Sequence, residues 1–228
     1  MKIAVVIPAL NEAECLPRLI KAAHSACAPE DHLDVIVADN GSTDATASAA
    51  WSAGARVVSE LRRGYGFACA AGSKATGPVD VIVFLDGDYS FDPAEMPALL
   101  GPLRSGVADM VLGSRLLDGR HVSMLPHQRF GNWLAARIVR ALYGLRLTDL
   151  GPYRAVRADL LAALDMREMT YGWPIEMIVK AARRRARIVE TPVSYHPRLA
   201  GRSKVSGTLR GSLLAAWFIL RTTVRYAG

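Results

Sequence analysis

Cysteine is scarce in this chain. Three residues, Cys15, Cys27 and Cys69, are scattered among 228. No Cys-x-x-Cys step and no Cys/His cluster occurs, which argues against a zinc centre. An odd number of thiols without a secretory leader points to a reducing cytoplasm rather than a disulfide scaffold. Long hydrophobic runs are missing too. The longest near the C-terminus, Leu213–Leu220, reads LLAAWFIL and falls well short of the roughly 18 to 20 apolar residues that a membrane span requires. The opening MKIAVVIPALNE is a short strand pattern broken by Pro8, not a signal-peptide core. There is no internal repeat, no low-complexity tract, no GxGxxG fingerprint and no GxxxxGK phosphate loop.

Hydrophobic residues make up 51% of the chain, enough for one globular domain with a sizeable core. Lys and Arg number 28 against 21 Asp and Glu, a net charge of +7. Such an excess suits nucleic acid, an anionic membrane or a phosphorylated small molecule. The basic residues are dispersed and no aromatic–basic stacking motif appears, which argues against nucleic acid.

Short apolar runs alternate with helical patterns through the first half. Strands are expected at Ile3–Ile7, Asp34–Ala38, Arg56–Ser59, Val81–Leu85 and Met110–Gly113. Helices are expected at Glu12–Cys27, Asp44–Ala53, Gly66–Ala75 and Pro93–Arg104. Fully apolar strands alternating with helices imply an α/β fold with a Rossmann-like, mostly parallel sheet covered on both faces. Right-handed crossovers then bring the strand C-termini to one edge, where ligands of open α/β sheets bind. Beyond Leu116 the character changes. Leu116–His127 reads as a loop, Arg129–Tyr143 as an amphipathic helix and Thr148–Arg154 as turn-rich chain. Pro174–Arg185 reads as a helix, Ile188–Tyr195 as a strand, His196–Gly207 as a basic loop and Leu209–Tyr226 as an apolar helix.

The polar residues at the expected strand ends are Glu12, Asp39, Asp86, Asp88 and Arg115. In VIVFLDGDYSFDP a buried strand runs into two aspartates one residue apart. Like charges this close disfavour each other's ionisation, and hard divalent cations seek such carboxylates together with substrate phosphates. An Asp-Gly turn is the structural alternative. In DNGSTD, Ser42 or Thr43 is placed to cap the next helix, and Asp39 stands ahead of it, where a carboxylate accepts a hydrogen bond from a base or ribose. Glu12 either favours a helix N-terminus or faces the ligand edge. Arg62–Gly66 is a basic turn suited to phosphate contact or to plain solvation. Arg198, Arg202, Ser203 and Lys204 form a cationic loop of the kind that closes on phosphate oxygens. Asp149 and Glu176 are each a general base, a substrate anchor or a structural partner for an arginine. His127 and His196 read as surface or packing residues, with a small chance of metal contact at His196.

Taken in order, VVIPALNE, VIVADNGSTD, VIVFLDGDYSFDP, GSR, TDLGPYRAVR and ETPVSYHPRLAGRSKVSG resemble family 2 glycosyltransferases of the GT-A fold. The likeness is strongest to dolichyl- or polyprenyl-phosphate sugar synthases. It implies a nucleotide-sugar half, residues 1–115, and a smaller acceptor-side half, residues 116–228, of one catalytic domain. It implies that Pro8, Ala9 and Glu12 line a nucleotide pocket and that Asp39 holds base or ribose. Asp86 and Asp88 would bind Mg2+ or Mn2+ under the diphosphate. Arg115, Arg202, Ser203 and Lys204 would contact diphosphate and acceptor phosphate, with Asp149 near the reacting sugar. The implied reaction is an inverting transfer of a hexose, from UDP-glucose or GDP-mannose, to polyprenyl phosphate. Asp88, Arg115 and Asp149 are the implied catalytic residues.

Three departures stand out. Asn40 replaces the second Asp of the usual DDGS, Leu10 replaces a Tyr, and Ser90 stands where many relatives have Gln. Two rival readings remain: a transferase with a soluble acceptor, for which Asp149 would be the base, and a non-catalytic nucleotide-sugar-binding module. The segment Leu213–Arg225 is expected to lie at a membrane surface or to pack in the core or a homodimer. A peripheral place at the inner face of the membrane follows from the first option.

Overall fold

The computed structural model describes residues 1–117, 124, 126–201, 217 and 221–226. Seven strands form one sheet: β1 (Lys2–Ala9), β2 (His32–Asp39), β3 (Arg56–Ser59), β4 (Val81–Phe84), β5 (Met110–Ser114), β6 (Arg154–Arg157) and β7 (Ile188–Pro192). Their spatial order is β3-β2-β1-β4-β6-β5-β7. The helices are α1 (Leu16–Ala26), α2 (Thr46–Ser52), α3 (Tyr65–Ala75), α4 (Met96–Arg104), α5 (Pro126–Tyr143), α6 (Ala158–Ala163) and α7 (Trp173–Arg183).

Alternation along the strands splits the core into two layers. Ile3, Val5 and Ile7 of β1 face one side with Val35, Val37, Val81 and Val83, against Leu16, Leu19 and Ile20 of α1 and Leu99 and Leu103 of α4. Ala4, Val6, Ile36, Ile82 and Phe84 face the other, against Cys69 of α3 and Trp173, Ile175 and Ile178 of α7. A strand buried on both faces reads as a continuous apolar run, which is why β1, β2, β4 and β5 are visible in the sequence.

The chain winds from β1 outward through β2 to β3, then returns to place β4 on the other side of β1, all three pairings parallel. The β1/β4 boundary is therefore the topological switch point, where the crevice of an open α/β sheet forms.

The sheet is mostly parallel, as expected. β6, which no expected strand covered, runs antiparallel to both β4 and β5 and ends at the opposite edge. β6 falls partly on the segment expected to be turn-rich, and its four residues, RAVR, follow Pro152 and carry Arg at both ends. Nothing in so short a run signals a strand. α6 was likewise not expected. α5 begins at Pro126, inside the expected loop, and β7 stops at Pro192. α1 begins four residues after Glu12, because a separate turn comes first, in which Cys15 N donates to Glu12 O at 3.0 Å.

Of the expected C-terminal helix, Arg221–Arg225 is helical, with Thr222 and Thr223 buried. Tyr143 Oη donates to Thr223 O at 2.6 Å, and Arg183 Nη1 donates to Tyr226 O at 2.9 Å. These last residues therefore pack against α5 and α7. The rest of Leu213–Leu220, apart from Trp217, lies outside the described residues. Among the described residues no helix is long and apolar enough to cross a membrane.

Candidate active site

The ends of β1, β2 and β4 meet at the switch point. The Asp86-Gly87-Asp88 step lies beside β1: a Cβ on Gly87 would stand in ordinary contact, 3.4 Å from Pro8 O and 3.5 Å from Glu12 Cγ. Pro8, Glu12, Asp86 and Asp88 are thus neighbours. Glu12 is buried, and its backbone N–H donates to Thr46 Oγ1 at 2.9 Å. Its side chain faces the Asp88 loop, where it meets Arg198.

The two aspartates differ in surroundings. Tyr65 Oη, at the start of α3, donates to Asp86 Oδ1 at 3.2 Å. Burial, and then the neighbouring Asp88 carboxylate, push the Asp86 pKa up to about 7, against the opposing pull of Tyr65, Arg115 and Arg154. Asp88 Oδ1 accepts from Ser90 N at 3.0 Å, and Arg198 Nη1 stands 3.4 Å from Asp88 Oδ2. The same guanidinium donates through Nη2 to Glu12 Oε1 at 2.6 Å. Its segment is stitched to the aspartate loop, since Leu199 N donates to Asp88 O and His196 N to Ser90 O. Arg198, from near the C-terminal end of the chain, therefore bridges Glu12 and Asp88.

The chemistry of the donor set fits a divalent ion. Asp86 and Asp88 offer two carboxylates one residue apart, burial and Asp88 raise the pKa of Asp86, and a cationic side chain already stands beside Asp88. No group of three His, Cys, Asp or Glu side chains gathers here among the described residues. His196 is exposed.

On the other side of the site Arg115 follows β5. Its Nε donates to Asp149 Oδ2 at 2.7 Å, its Nη2 to Oδ1 at 2.8 Å and its backbone N–H to Oδ2 at 2.9 Å. Asp149 is fully buried. Burial opposes the charge on Arg115, but the Asp149 pair outweighs it and holds the pKa above the ordinary value. The guanidinium lies over the Tyr195 ring, 5.1 Å from its centroid. Gly151 leaves room for the pair, since a Cβ there would stand 3.3 Å from Asp149 Oδ2 and 3.0 Å from Gly113 O.

Asp39 accepts from Ser42 N at 3.0 Å. Ser42 and Thr43 do not cap α2. Ser42 Oγ accepts from Asn11 N at 2.9 Å and Thr43 N donates to Asn11 Oδ1 at 2.8 Å, while Asp44 Oδ1 accepts from Thr46 N at 3.0 Å at the helix start. Asn40 is buried. Its Nδ2 donates to Glu60 O at 2.9 Å and Arg62 O at 2.7 Å, and its Oδ1 accepts from Gly64 N at 2.9 Å. The amide clamps the basic turn before α3 against the end of β2. A carboxylate offers no N–H for those two carbonyls.

Glu176 is a structural partner. Its buried carboxylate accepts from Arg167 N, Glu168 N and Tyr226 Oη and pairs with Lys180. Arg202, Ser203 and Lys204 lie outside the described residues, and nothing is described of the His127 side chain.

Sequence reasoning missed Arg154. It is 1% exposed, and its guanidinium donates to the carbonyls of Pro152, Pro174 and Gly151. Burial pulls its pKa below the ordinary value, against the fields of Tyr65, Cys69, Asp86 and Asp149. It places a positive charge beneath the site without a carboxylate in contact. The contacts of Tyr65 with Asp86 and of Tyr195 with Arg115 were missed as well, because each joins residues far apart in the chain.

Comparison with known proteins bears on this arrangement. The family model described as Glycosyl transferase family 2 matches residues 4–164. A protein of Mycobacterium tuberculosis (strain ATCC 25618 / H37Rv), named as a glycosyltransferase, is 40% identical over 215 residues, covering 93% of this chain and 94% of that one. Undecaprenyl-phosphate mannosyltransferase of Micrococcus luteus is 36% identical over 224 residues, covering 92% and 90%. Among solved structures, glucosyl-3-phosphoglycerate synthase from Mycobacterium tuberculosis, in complex with Mn2+, UDP and phosphoglyceric acid, superposes with a TM-score of 0.79 at 26% identity, covering 100% of this chain and 78% of that one. The same enzyme has also been crystallised with Mg2+ and UDP. This chain belongs to glycosyl transferase family 2 and is a hexosyltransferase built on the GT-A fold.

Proposed function

We propose that the chain moves a hexosyl group from a nucleoside diphosphate sugar to a polyprenyl phosphate, with inversion, in a reaction that needs Mg2+ or Mn2+. The observation that carries this reading is the Asp86–Asp88 pair at the β1/β4 switch point, two carboxylates one residue apart with a cationic side chain already beside them. The polyprenyl acceptor is argued from the mannosyltransferase relative, and the metal and nucleotide from the synthase complexes.

Asp86 and Asp88 would hold the metal. Bound there, it would act as a Lewis acid on the charge that develops on the departing diphosphate. The chain's own groups do the rest. Residues 1–115 take the donor, with Pro8, Ala9 and Glu12 lining the nucleotide pocket and Asp39 accepting from base or ribose. Residues 116–228 take the acceptor. Arg115 presents a guanidinium fixed by Asp149, a preorganised fork for phosphate oxygens. Arg198 would leave Asp88 and Glu12 for the diphosphate, and Arg202, Ser203 and Lys204 continue the same cationic stretch. The acceptor phosphate oxygen forms the new bond to the anomeric carbon as the bond to the diphosphate oxygen breaks, and the nucleoside diphosphate departs. A phosphate monoester is already an anion near neutral pH, so no side chain has to remove a proton. The work is to hold two anions together. The reading implies action at the cytoplasmic face of a membrane.

A soluble phosphorylated acceptor is the second reading, favoured by the phosphoglyceric acid in the synthase complex. A hydroxyl nucleophile then needs a base. Asp149 would be that base, and its engagement by Arg115 through both oxygens counts against it.

The test is release of free nucleotide from a panel of UDP- and GDP-sugars, with and without Mn2+ or Mg2+, and with and without a short prenyl phosphate. Release that requires both metal and the prenyl phosphate is the expected result. Asp88→Asn should lower it by a factor of about 100 or more while leaving the fold intact. Undiminished turnover in that variant overturns the metal assignment.

A further inference from the structure

Helix α5 buries Ala135, Ala136 and Val139 and turns a different chemistry outward. Phe130 is 62% exposed and Trp133 51% exposed. Their rings stack, with centroids 5.8 Å apart, and the Arg137 guanidinium lies 5.2 Å from the Trp133 ring centroid. Arg129, Arg137 and Arg140 are exposed on the same helix, and its sequence, PHQRFGNWLAARIVRALY, contains no Asp or Glu. The C-terminal stretch repeats the pattern. Trp217 and Val224 are exposed, Arg221 lies 5.1 Å from the Trp217 ring centroid, and Arg221 and Arg225 are exposed. The two are neighbours, since Tyr143 at the end of α5 bonds to Thr223.

We propose that this face of α5, with the adjoining 221–226 turn, docks on an anionic phospholipid surface. Exposed aromatic rings interleaved with arginines, and no acid, are what an interfacial helix needs: apolar area to enter the headgroup boundary and cations to meet lipid phosphates. A second copy of the chain is a poorer fit. A two-fold contact through this face would set Arg129, Arg137 and Arg140 against their own equivalents, with no carboxylate on the helix to answer them.

The face is also tied to the site. Asn132, on the same helix, donates through Nδ2 to Thr148 O at 3.0 Å and accepts from Leu150 N at 3.0 Å. These two residues flank Asp149, the partner of Arg115. A helix seated flat among headgroups would thus hold the acceptor side of the site at the depth of lipid phosphates. This step rests on the polyprenyl-phosphate reading, while the docking itself does not.

The experiment is co-sedimentation of the full chain with phosphatidylcholine vesicles, with and without phosphatidylglycerol. Binding should require the anionic lipid and weaken with salt. Phe130→Ser with Trp133→Ser should reduce binding by about ten-fold or more, while Tm and nucleotide release with a short water-soluble prenyl phosphate stay unchanged. Arg137→Gln with Arg140→Gln should lose the preference for anionic vesicles. Absence of vesicle binding, or equal binding by wild type and the aromatic variant, overturns the proposal. So does a dimer in solution that Trp133→Ser dissociates. If vesicles bind but prenyl phosphate never stimulates release, docking stands and the acceptor reading falls. If release is stimulated without vesicle binding, docking alone falls.

Discussion

Both carboxylate oxygens of Asp149 are occupied by one guanidinium, that of Arg115, at 2.7 and 2.8 Å. The pair is buried on the Asp149 side and open to the site on the Arg115 side. On the proposed reading, this geometry makes Asp149 a positioning residue for the arginine that would meet phosphate. Removing one partner of such a pair leaves the other charge unanswered and costs about 3–5 kcal/mol. Asp149→Asn should therefore lower stability by that order in chemical denaturation, and Arg115→Gln should do the same. The double variant should lose less than the sum, because the second change removes the charge that the first left stranded. In activity, Asp149→Asn should reduce kcat without removing an ionisation from the pH–rate profile. Loss of an acidic limb in that profile would mark Asp149 as a base instead.

Arg198 contacts Glu12 at 2.6 Å and Asp88 at 3.4 Å, bringing positive charge to the place where the reading puts a metal ion. An ion entering there must compete with it. Arg198→Gln should bind Mn2+ alone more tightly, by about ten-fold if the lost competition amounts to about 1.4 kcal/mol. It should bind the nucleotide sugar more weakly, because the same guanidinium is then missing from the diphosphate. Titration of Mn2+ and of donor separately checks both. Weaker Mn2+ binding in the variant would show that Arg198 supports the metal rather than standing in for it.

Asn40 shows how far the sequence was legible. The order of β1, β2, β4 and β5, and the convergence of Glu12, Asp86 and Asp88, follow from apolar runs ending in charge. Those are local signals. What Asn40 does depends on where Glu60, Arg62 and Gly64 come to rest, some twenty residues away. From sequence it reads only as a departure from the usual DDGS, whereas in the fold its amide is a clamp. β6 and Arg154 were hidden for the same reason. A four-residue antiparallel strand and a guanidinium satisfied by three carbonyls are set by tertiary packing, which leaves no period in the chain.

The clamp makes its own prediction. Asn40→Asp sets a carboxylate against two backbone carbonyls and leaves them without a donor. Denaturation should report a loss of about 1–3 kcal/mol, and the KM for donor should rise as the Arg62–Gly64 turn loosens. A variant as stable as wild type, with unchanged KM, would show that the turn is held by other means.

The raised pKa of Asp86 predicts a pH dependence for the metal-free protein. Its pKa is raised to about 7 from 3.8, by burial first and by Asp88 second. A carboxyl with a raised folded-state pKa keeps its proton in the folded protein over a range where the unfolded chain has already lost it. Its contribution to stability is therefore fully present below the unfolded value near 3.8 and is lost as pH rises through about 7. Metal binding runs the other way, because the ion needs the ionised form. Mn2+ affinity should climb as pH rises toward about 7 and level off above it, and Asp86→Asn should abolish the climb along with most of the binding. Metal-free Tm measured across the same range should fall with rising pH in wild type and stay flatter in Asp86→Asn. A wild-type Tm that rises through this window would mean that other carboxylates outweigh Asp86. A wild-type Mn2+ affinity that does not depend on pH would mean that Asp86 is already ionised and that its charge is answered within the protein.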